Sequence, residues 1–425
     1  MIIQGEEIYV IDNPRDEETV MVYAPLRRFL GLAPITIKEN FKNSINVTDS
    51  VVDLIMERLK SKKIISIEEL LYADKKRLKI NINLTDNCQL RCKYCYDKSC
   101  ENDTHLDMTL TEVMKVTDSF IQYYKEHSKS QRIDFSFFGG AEPTYNSKLF
   151  VESIEYIKEK CSESQLVPHF GMTTNGCYTT ELMDYIINNF VGVTFSIDGP
   201  KEIHDKHRIL WDGNGSFDLI INNARALHNS SIAHSYRVTV SNYSLLHWRE
   251  LLDFFISEFP GDRVVLGLLL PIGRGKAIDD LIPDQNLWNK VAPQMYEYAK
   301  NKIKLSFLTV NDPDVLRVHY CGTGRGTMWI VSRDGNIVAC SHDRSDSSLK
   351  VGTFDFETSK MKIDSNAVKK LKQDLAVTNL QHCKDCFCKY TCSGGCPSQN
   401  IMGLVRNCDT TRQLTALTFV DYLNE

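Results

Sequence analysis

Three cysteines at short spacing carry the most specific chemistry in this sequence. Cys88, Cys92 and Cys95 form a C-x3-C-x2-C motif. Thiolates are the usual ligands of iron–sulfur clusters, and a cubane normally takes four of them. A three-cysteine loop therefore leaves one iron without a protein ligand, much as a catalytic zinc keeps one position open. A structural zinc site and a set of buried thiols are the alternatives at this point.

A second group of cysteines lies near the end of the chain. Its seven members are Cys321, Cys340, Cys383, Cys386, Cys392, Cys396 and Cys408. Zinc also binds cysteine pairs separated by two residues, so spacing alone does not distinguish a pair of zinc knuckles from iron–sulfur clusters. The surrounding region shows little long periodicity, and a region of that kind needs cross-links in order to fold.

The composition narrows the class of protein. The chain has 425 residues, of which 42% are hydrophobic and 25% are charged, and its formal net charge is −5. These values exclude a disordered, fibrous or membrane-spanning protein. The mild negative charge gives no reason to expect binding to nucleic acid or to a membrane surface. The 14 cysteines are too many for an ordinary cytosolic enzyme and too dilute for a small disulfide scaffold.

The beginning of the sequence predicts a cytoplasmic protein. Its first residues have no basic segment followed by an apolar one, which a secretory signal would have. In a reducing cytoplasm, clustered thiols are better explained by metal binding than by disulfides.

The elements that must position the first motif are strands and helices in alternation. Apolar, β-branched runs predict strands at Leu78–Leu84, Ile133–Phe138, Val167–Met172, Val191–Ile197, Ser235–Val240 and Val264–Leu270. Helical patterns follow at Thr111–Glu126, Ser147–Lys160, Thr180–Asn188, Ser216–Leu227, Ser244–Phe259 and Asp284–Lys300. Six such units predict a parallel α/β sheet in an open, partial (β/α)6 barrel, because a closed barrel needs eight. Ligands should bind at the carboxyl ends of its strands.

Three regions follow from these patterns. Residues 1–77 predict a small α+β region with strands at Glu7–Ile11 and Thr19–Tyr23 and helices at Ser50–Ser61 and Ser66–Tyr72. The partial barrel would occupy residues 78–305, and a third domain with the later cysteines would occupy residues 306–425. Within the barrel, Thr109 and Glu112 form a capping-box pattern, which predicts that its first helix begins there.

The loop around the first motif resembles the signature of radical S-adenosylmethionine (SAM) enzymes. The resemblance implies that Cys88, Cys92 and Cys95 hold a [4Fe–4S] cluster whose free iron chelates the amine and carboxylate of SAM. It also implies that an electron from the cluster cleaves SAM to a 5′-deoxyadenosyl radical, which abstracts a hydrogen atom from substrate. Tyr94 matches the aromatic residue of that family whose backbone contacts the adenine.

Other matches follow in the expected strand order. Gly139, Gly140 and Glu142 lie in a turn similar to the one that binds the SAM amino group. Glycines let backbone carbonyls approach a ligand closely, and a carboxylate pairs with an ammonium. Ser196 and Arg208 lie in a stretch that resembles the segment contacting the ribose and the SAM carboxylate. Arginine suits a carboxylate as a forked, permanently charged donor, and a solvated surface arginine is the alternative for Arg208.

The order of the seven later cysteines resembles the SPASM domain, which carries two auxiliary iron–sulfur clusters in radical SAM enzymes. By analogy, an outer cluster would be held by Cys383, Cys386, Cys392 and Cys408. An inner cluster nearer the barrel would be held by Cys321, Cys340 and Cys396. The related anaerobic sulfatase-maturing enzymes have an eighth cysteine at the place of Thr327. We therefore expect an inner cluster with a free iron, which we favour, or with Cys388 as its fourth ligand.

A further departure from the sulfatase-maturing enzymes concerns a base. Those enzymes place a catalytic Asp directly after the cysteine that matches Cys340, where it takes a proton from the substrate. This chain has Ser341 there. His342 and Asp343 are the remaining candidates for a displaced base, and surface turn residues are the alternative for both.

The resemblance implies a peptide maturase that uses SAM and three [4Fe–4S] clusters. We expect this oxidoreductase to install a thioether or carbon–carbon cross-link in a ribosomally made peptide (RiPP maturation). Its partners would be the precursor peptide, which residues 1–77 could dock as an added strand, and a reductant such as flavodoxin or ferredoxin. No nucleic acid or membrane is expected. The alternatives are a sulfatase-type maturase that oxidises Cys or Ser to formylglycine, and a non-catalytic iron–sulfur scaffold for electron transfer.

Overall fold

A computed structural model describes residues 2–3, 6–38, 50–73, 78–97, 107–139, 141–341, 347–404 and 407–425. The chain divides into two compact units. The first unit comprises Met1–Lys75, Thr309–Arg325 and Lys372–Glu425. The second comprises Lys76–Leu308 and Gly326–Leu371.

The strands and helices are numbered along the chain. The strands are β1 (Ile2–Ile3), β2 (Glu6–Glu7), β3 (Tyr9–Asp12), β4 (Thr19–Ala24), β5 (Phe29–Pro34), β6 (Lys79–Ile82), β7 (Arg132–Phe137), β8 (Val167–Thr174), β9 (Gly192–Ser196), β10 (Ala233–Val240), β11 (Arg263–Leu268), β12 (Lys304–Phe307), β13 (Met328–Val331), β14 (Asn336–Val338), β15 (Lys350–Asp355) and β16 (Lys360–Ile363). The α-helices are α1 (Ser50–Lys60), α2 (Ile67–Ala73), α3 (Leu110–His127), α4 (Ser147–Glu163), α5 (Thr180–Asn189), α6 (Lys201–His204), α7 (Phe217–His228), α8 (Asn242–Leu246), α9 (Trp248–Glu258), α10 (Gln285–Ala299), α11 (Gly322–Arg325), α12 (Ser365–Asp374), α13 (Lys389–Cys392), α14 (Pro397–Ile401) and α15 (Cys408–Asn424).

The second unit is built on one large sheet. Its strand order is β12-β11-β10-β9-β8-β7-β6-β13-β14-β15-β16. Neighbours from β12 to β13 are parallel, and those from β13 to β16 are antiparallel. The six strands predicted from the sequence correspond to β6–β11, so the predicted parallel α/β sheet is confirmed.

Two strands extend the parallel run beyond the predicted six. The short strand β12 pairs with β11 at one edge. At the other edge, β13 pairs with β6, and the Lys79 amide donates to the Thr327 carbonyl over 2.7 Å. Local sequence patterns do not reveal either partner, because the pairing of β13 with β6 joins segments far apart in the chain.

Apolar strand residues and helix faces build the core of this unit. In β7, every residue from Ile133 to Phe137 is buried, as expected for a parallel strand covered on both faces. The ring of Phe137 lies 5.5 Å from that of Phe150 on α4. The predicted capping box is confirmed: the Glu112 amide donates to Thr109 Oγ1 over 3.2 Å, and the Thr109 amide donates to the Glu112 carboxylate over 2.6 Å. No described helix is both long and apolar enough to cross a membrane.

One predicted helix is wrong in its bounds. The pattern at Ser244–Phe259 predicts a single helix, but two helices, α8 and α9, occupy this stretch. Ser241 caps the first one earlier, since its hydroxyl accepts from the Ser244 amide over 3.1 Å. At His247, φ is −110° and ψ is 33°, which is not helical, and the chain restarts there as α9.

The first unit contains a three-stranded antiparallel sheet of order β3-β4-β5. Its central strand β4 buries alternate residues on opposite faces. One face, with Val20 and Val22, packs against Ile55, Met56 and Leu59 of α1. The other, with Met21 and Tyr23, packs against Ala416, Phe419 and Val420 of α15. The predicted strands Glu7–Ile11 and Thr19–Tyr23 match β3 and β4 approximately, whereas β5 was not predicted.

Candidate active site

A cavity of about 370 Å³ opens where β6–β11 end. It brings together the described residues that the sequence predicted to hold the first cluster and SAM, namely Cys88, Tyr94, Cys92, Cys95, Glu142, Ser196 and Arg208. Gly140 lies outside the described residues. The location agrees with the rule that open α/β sheets bind ligands at the carboxyl ends of their strands.

The cysteine loop is held by backbone pairing with the segment that follows Arg208. The Arg91 amide donates to the Ile209 carbonyl over 2.6 Å, and the Lys93 amide donates to the His207 carbonyl over 2.9 Å. These two bonds fix the loop as a short antiparallel pair.

A second segment, after β11, clamps the loop from the other side. The Arg274 amide donates to the Cys95 carbonyl, and Arg274 Nε donates to the Cys92 carbonyl, both over 2.9 Å. Gly273 approaches so closely that a Cβ there would lie 2.3 Å from the Cys95 oxygen. Arg274 was not predicted from the sequence. Its signal was the Gly-Arg-Gly triplet shortly after β11, where a glycine permits close approach.

The thiols of the first motif fit a cluster. Burial raises the pKa of Cys92 to about 12, and burial also raises the pKa of Cys95. Both are therefore neutral at neutral pH until a metal displaces the proton. Within the part of the chain that the structure describes, no three His, Cys, Asp or Glu side chains surround a position for a single metal ion. Thiolates are the ligands of iron–sulfur clusters, so the three cysteines that line the cavity have the donors that a cluster requires.

Arg208 is fixed by a buried carboxylate. Its Nε lies 2.9 Å from Asp198 Oδ2, which also accepts from the Tyr94 hydroxyl, and the Thr239 amide donates to Asp198 Oδ1 over 2.9 Å. Burial alone would raise the pKa of Asp198, but the charge of Arg208 and these bonds hold it below its usual value. Because Arg208 is only 7% exposed, it is not a solvated surface arginine.

His204 supports this ion pair from behind. The Asp198 amide donates to His204 Nδ1 over 3.3 Å, so the single proton of the neutral ring lies on Nε2. Nε2 is 3.0 Å from Ser216 Oγ, which in turn donates to the Arg208 carbonyl over 2.8 Å. Burial lowers the pKa of His204 to about 4, which agrees with a neutral imidazole. His204 thus positions Asp198 and Arg208 without lining the cavity.

Glu142 presents an oriented carboxylate. Its Oε1 accepts from Thr174 Oγ1 over 2.7 Å and from Thr144 Oγ1 over 2.8 Å, and its Oε2 accepts from the Asn175 amide over 2.7 Å. Burial raises the pKa of Glu142 despite these bonds. A carboxylate held this way beside a cavity is suited to pairing with an ammonium group.

Two further polar residues line the cavity. Asn175 donates from Nδ2 to the Cys88 sulfur over 3.5 Å. Arg237 lines the cavity from β10, and a Cβ on Gly267 of the neighbouring strand would lie 2.1 Å from its guanidinium. The alternation of Ser235, Arg237 and the following threonine with buried apolar residues in β10 was the available signal for a polar face toward the cavity.

Ser341 lies in the cavity wall, at the place where the sequence lacks the Asp of sulfatase-maturing enzymes. Its Oγ is 3.5 Å from the Tyr96 hydroxyl. Gly139 has φ +71°, and a Cβ there would lie only 2.5 Å from Ser341 Cβ. Only glycine at 139 therefore leaves room for this serine. His342 and Asp343 lie outside the described residues.

The outer set of later cysteines is gathered in the first unit. Burial and the nearby charges of Cys386, Cys383 and Cys408 together raise the pKa of Cys392 to about 12, so these four lie near one another. The neighbouring Cys388 lowers the pKa of Cys386 against the effect of burial. A thiol-only group of this kind has the donors that an iron–sulfur cluster requires.

The predicted inner ligands are distributed over both units. Cys340 follows β14 in the second unit and is 9% exposed. Cys321 and Cys396 belong to the first unit. Thr327 belongs to the second unit, next to the start of β13. The inner cluster itself stays a prediction.

Much of the sequence that lines the cavity matches a known protein family. Residues 82–255 match the model of the Radical SAM superfamily. The chain carries a radical SAM domain. The predicted radical SAM enzyme and its α/β partial-barrel fold are confirmed.

Three relatives of the radical SAM domain and its flanking regions are informative. A cysteine-type anaerobic sulfatase-maturating enzyme of Clostridium novyi (strain NT) is 23% identical over 336 residues, which cover 73% of this chain and 85% of that protein. The solved structure of anSMEcpe with bound AdoMet and Cp18Cys peptide matches with a TM-score of 0.61 at 17% identity, covering 82% of this chain and 98% of that one. Streptococcus suis SuiB bound to precursor peptide SuiA matches with a TM-score of 0.52 at 14% identity, covering 95% and 97%. The two structures are similar to this chain in fold.

Proposed function

We propose that this radical SAM enzyme installs a thioether or carbon–carbon cross-link in a ribosomally made precursor peptide. The observation that carries the proposal is Ser341 in the cavity wall. A neutral hydroxyl does not take up a proton near neutral pH, whereas the Asp of sulfatase-maturing enzymes does. The site therefore favours formation of a cross-link over oxidation of the substrate to formylglycine.

The cavity residues fit SAM and a [4Fe–4S] cluster. Cys88, Cys92 and Cys95 would hold the cluster. Glu142 would face the ammonium of SAM and Arg208 its carboxylate, while Tyr94 and Ser196 would flank its adenosine, with Gly140 as a further contact. When bound, this pair supplies the 5′-deoxyadenosyl radical that abstracts hydrogen from the peptide.

The chain itself orients these ligands. Asp198 and His204 fix Arg208 before SAM arrives, so little side-chain entropy is lost on binding. Donors from the end of β8 fix Glu142 in the same way. The site is pre-formed, which lets binding energy go into positioning the reacting atoms.

Two auxiliary clusters and two partners complete the proposed enzyme. The outer and inner cysteine sets would bring the total to three [4Fe–4S] clusters, which pass on the surplus electron, and a flavodoxin or ferredoxin would supply the first electron. Residues 1–77 would dock the peptide, 78–305 form the barrel and 306–425 carry the auxiliary clusters. The edges of the sheet β3-β4-β5 can accept an added strand.

A sulfatase-type maturase is the second candidate. The likeness to the Clostridium novyi enzyme favours it. The peptide complexes of anSMEcpe and SuiB support a peptide substrate for either candidate, since both structures share this fold.

Anaerobic incubation separates the candidates. The reduced, iron-reconstituted protein is mixed with SAM and candidate peptides, and the products are analysed by mass spectrometry. Loss of two hydrogens with all side-chain heavy atoms retained, and with no product that reacts with an aldehyde-specific hydrazide, is expected. Conversion of a cysteine or a serine to an aldehyde would establish the second candidate instead, and absence of 5′-deoxyadenosine would contradict both.

A further inference from the structure

Trp211 is an exposed aromatic side chain beside the cysteine loop. It is 52% exposed, whereas the other three tryptophans, Trp248, Trp288 and Trp329, are buried. Single exposed apolar residues are normal on protein surfaces, so exposure alone does not mark a function. Trp211 differs from such residues because the loop that would bind the first cluster fixes its ring on two sides.

Two contacts hold the indole of Trp211. Its Nε1 donates to the Cys88 carbonyl over 2.9 Å. The guanidinium carbon of Arg91 lies 4.4 Å from the ring centre, which is a cation–π distance. Because the ring is already ordered, a partner that packs on it pays little entropy for this side chain.

A short hairpin carries Trp211 and is joined to the cysteine loop. Within the hairpin, the Leu210 amide donates to the Asn214 carbonyl over 2.8 Å. Leu210 also forms an antiparallel bridge with Leu90 of the cysteine loop. The exposed ring and the loop are therefore one continuous piece of backbone structure.

Two exposed lysines lie next to each other beside this hairpin. Lys93 is in the cysteine loop and Lys206 precedes the hairpin. The Lys93 amide donates to the carbonyl of His207, the neighbour of Lys206, over 2.9 Å. With Arg91, these lysines give three positive charges, against one carboxylate, Asp212, in the hairpin. The whole chain has a net charge of −5, so this surface is positive on a negative protein.

We call Arg91, Lys93, Lys206 and Trp211 the basic patch. A positive surface steers an acidic partner to it and raises the rate of association. Tryptophan and arginine are also the residues that most often dominate the binding energy of protein interfaces. An aromatic anchor among cations therefore suits an acidic protein partner.

The position of the basic patch indicates what this partner does. An electron must reach the first cluster from outside the protein, and electron transfer slows steeply with distance. The exposed indole and the Cys88 sulfur are connected by one hydrogen bond and the covalent bonds of a single residue. Interfaces between redox proteins are small and transient, which one anchor with a charged rim can provide.

We propose that the basic patch docks the acidic face of a small one-electron carrier protein of the flavodoxin or ferredoxin class. This inference deepens the proposed function and rests on it, because it gives the reductant a site on this chain. The carrier loses one electron, and the cluster that Cys88, Cys92 and Cys95 would hold gains it. No bond or proton is exchanged.

The test measures binding of oxidised flavodoxin to the full-length, iron-reconstituted protein by titration calorimetry. At an ionic strength of about 0.1 M, charges more than about 10 Å apart are largely screened. The combined change Lys93→Glu and Lys206→Glu (the lysine variant) should raise the Kd about tenfold or more. Trp211→Ala should raise it about tenfold.

The matched control is the combined change Lys125→Glu and Lys129→Glu. Both residues are exposed, and the change in charge equals that of the lysine variant. They lie around the end of α3, just before β7, and therefore at the opposite end of the strands from the cysteine loop. The Kd for flavodoxin should stay unchanged in this control.

Formation of 5′-deoxyadenosine gives a second readout. Dithionite is a small reductant that needs no docking surface, so with dithionite the lysine variant should match the unmodified protein. With reduced flavodoxin at limiting concentration, the lysine variant should be slower. An equal loss of rate with both reductants would overturn the inference.

Binding separates the inference from the proposed function. A Kd for flavodoxin unmoved in both the lysine variant and Trp211→Ala would overturn the inference and leave the proposed function intact. The inference would also fail if the lysine variant lost affinity for the peptide that the unmodified protein modifies and kept its affinity for flavodoxin. Absence of 5′-deoxyadenosine from the unmodified protein with dithionite would instead contradict the proposed function.

Discussion

At the scale of single residues, the site depends on groups that do not touch the cavity. His204 lies behind Asp198 and Arg208. Its imidazole accepts from the Asp198 amide and hydrogen-bonds to Ser216, whose hydroxyl donates to the Arg208 carbonyl. Only the neutral ring serves both bonds, because its Nδ1 must accept. Protonation of His204 would therefore disturb the residue proposed to hold the SAM carboxylate.

The first prediction concerns pH. Burial lowers the pKa of His204 from 6.5 to about 4. Between these values the unfolded chain binds a proton at this residue that the folded chain does not, so stability falls as the pH falls through this window. The loss should reach about 3 kcal/mol. Urea unfolding at several pH values should show a smaller loss for His204→Asn. The control is His127→Asn, because His127 is exposed. The prediction would be contradicted if the free energy of unfolding fell equally with pH in the unmodified protein and in both variants.

The second prediction concerns Gly139. Its positive φ strains any other residue by about 1–2 kcal/mol, and its Cβ would collide with Ser341. Gly139→Ala should therefore lower the free energy of unfolding by about 2–4 kcal/mol. Gly213→Ala is the matched control, because Gly213 has φ +86° with nothing within 4 Å of its Cβ position. Gly213→Ala should lower the free energy of unfolding only by the cost of the positive φ.

A double variant isolates the contact with the serine. Ser341→Gly should restore part of the stability lost in Gly139→Ala, since it removes the group that the new methyl meets. Urea unfolding measures both. No recovery in the double variant would show that Ser341 does not cause the loss.

Some residues of this site could be predicted from the sequence and others could not. Cys88, Cys92 and Cys95 were found because a loop motif is local and its spacing carries the chemistry. Arg237 was not, because it reaches the cavity through strand pairing that only the folded sheet creates.

At the scale of elements, the start of α3 is defined by side chains alone. Thr109 and Glu112 each satisfy a backbone amide of the other at the helix terminus. The sequence pattern predicted this start correctly because all the bonding groups lie within four residues. By contrast, the break between α8 and α9 depends on one backbone conformation at His247, which the apolar periodicity does not record.

The third prediction tests the cap. Thr109→Ala should lower the free energy of unfolding by about 1 kcal/mol, because one amide loses its acceptor. Thr111→Ala in the same turn is the control, since Thr111 is exposed and should change stability by about 0.5 kcal/mol or less. Chemical unfolding measures both. Equal effects would mean that the cap contributes no stability.

At the scale of the whole molecule, the order of the strands could be predicted only in part. The parallel run β6–β11 follows from alternating local patterns. The addition of β13 beside β6 does not, because it places residues of the predicted third region in the sheet of the barrel. The first unit likewise combines segments from both ends of the chain.

The fourth prediction concerns the number of iron atoms that the protein binds. The reconstituted protein should bind about twelve irons, and Cys383→Ala should lower this to about eight while SAM cleavage without product persists. Changing Cys88, Cys92 or Cys95 to Ala should abolish SAM cleavage. Cys161→Ala is the control, because Cys161 is fully buried and outside the proposed ligand sets. About four irons in the unmodified protein would contradict the model of two auxiliary clusters.

The hairpin of β13 and β14 has a consequence for how this enzyme could change its chemistry. Because β13 is bonded to β6, the segment that ends at Cys340 and Ser341 is built on the same sheet as the cysteine loop. Its ladder register sets which side chain faces the cavity. A single exchange at the end of this hairpin can therefore give the radical site a different neighbour for the substrate while the barrel stays as it is. The β13–β14 hairpin would then determine the product, while the residues that hold the cluster and SAM stay the same.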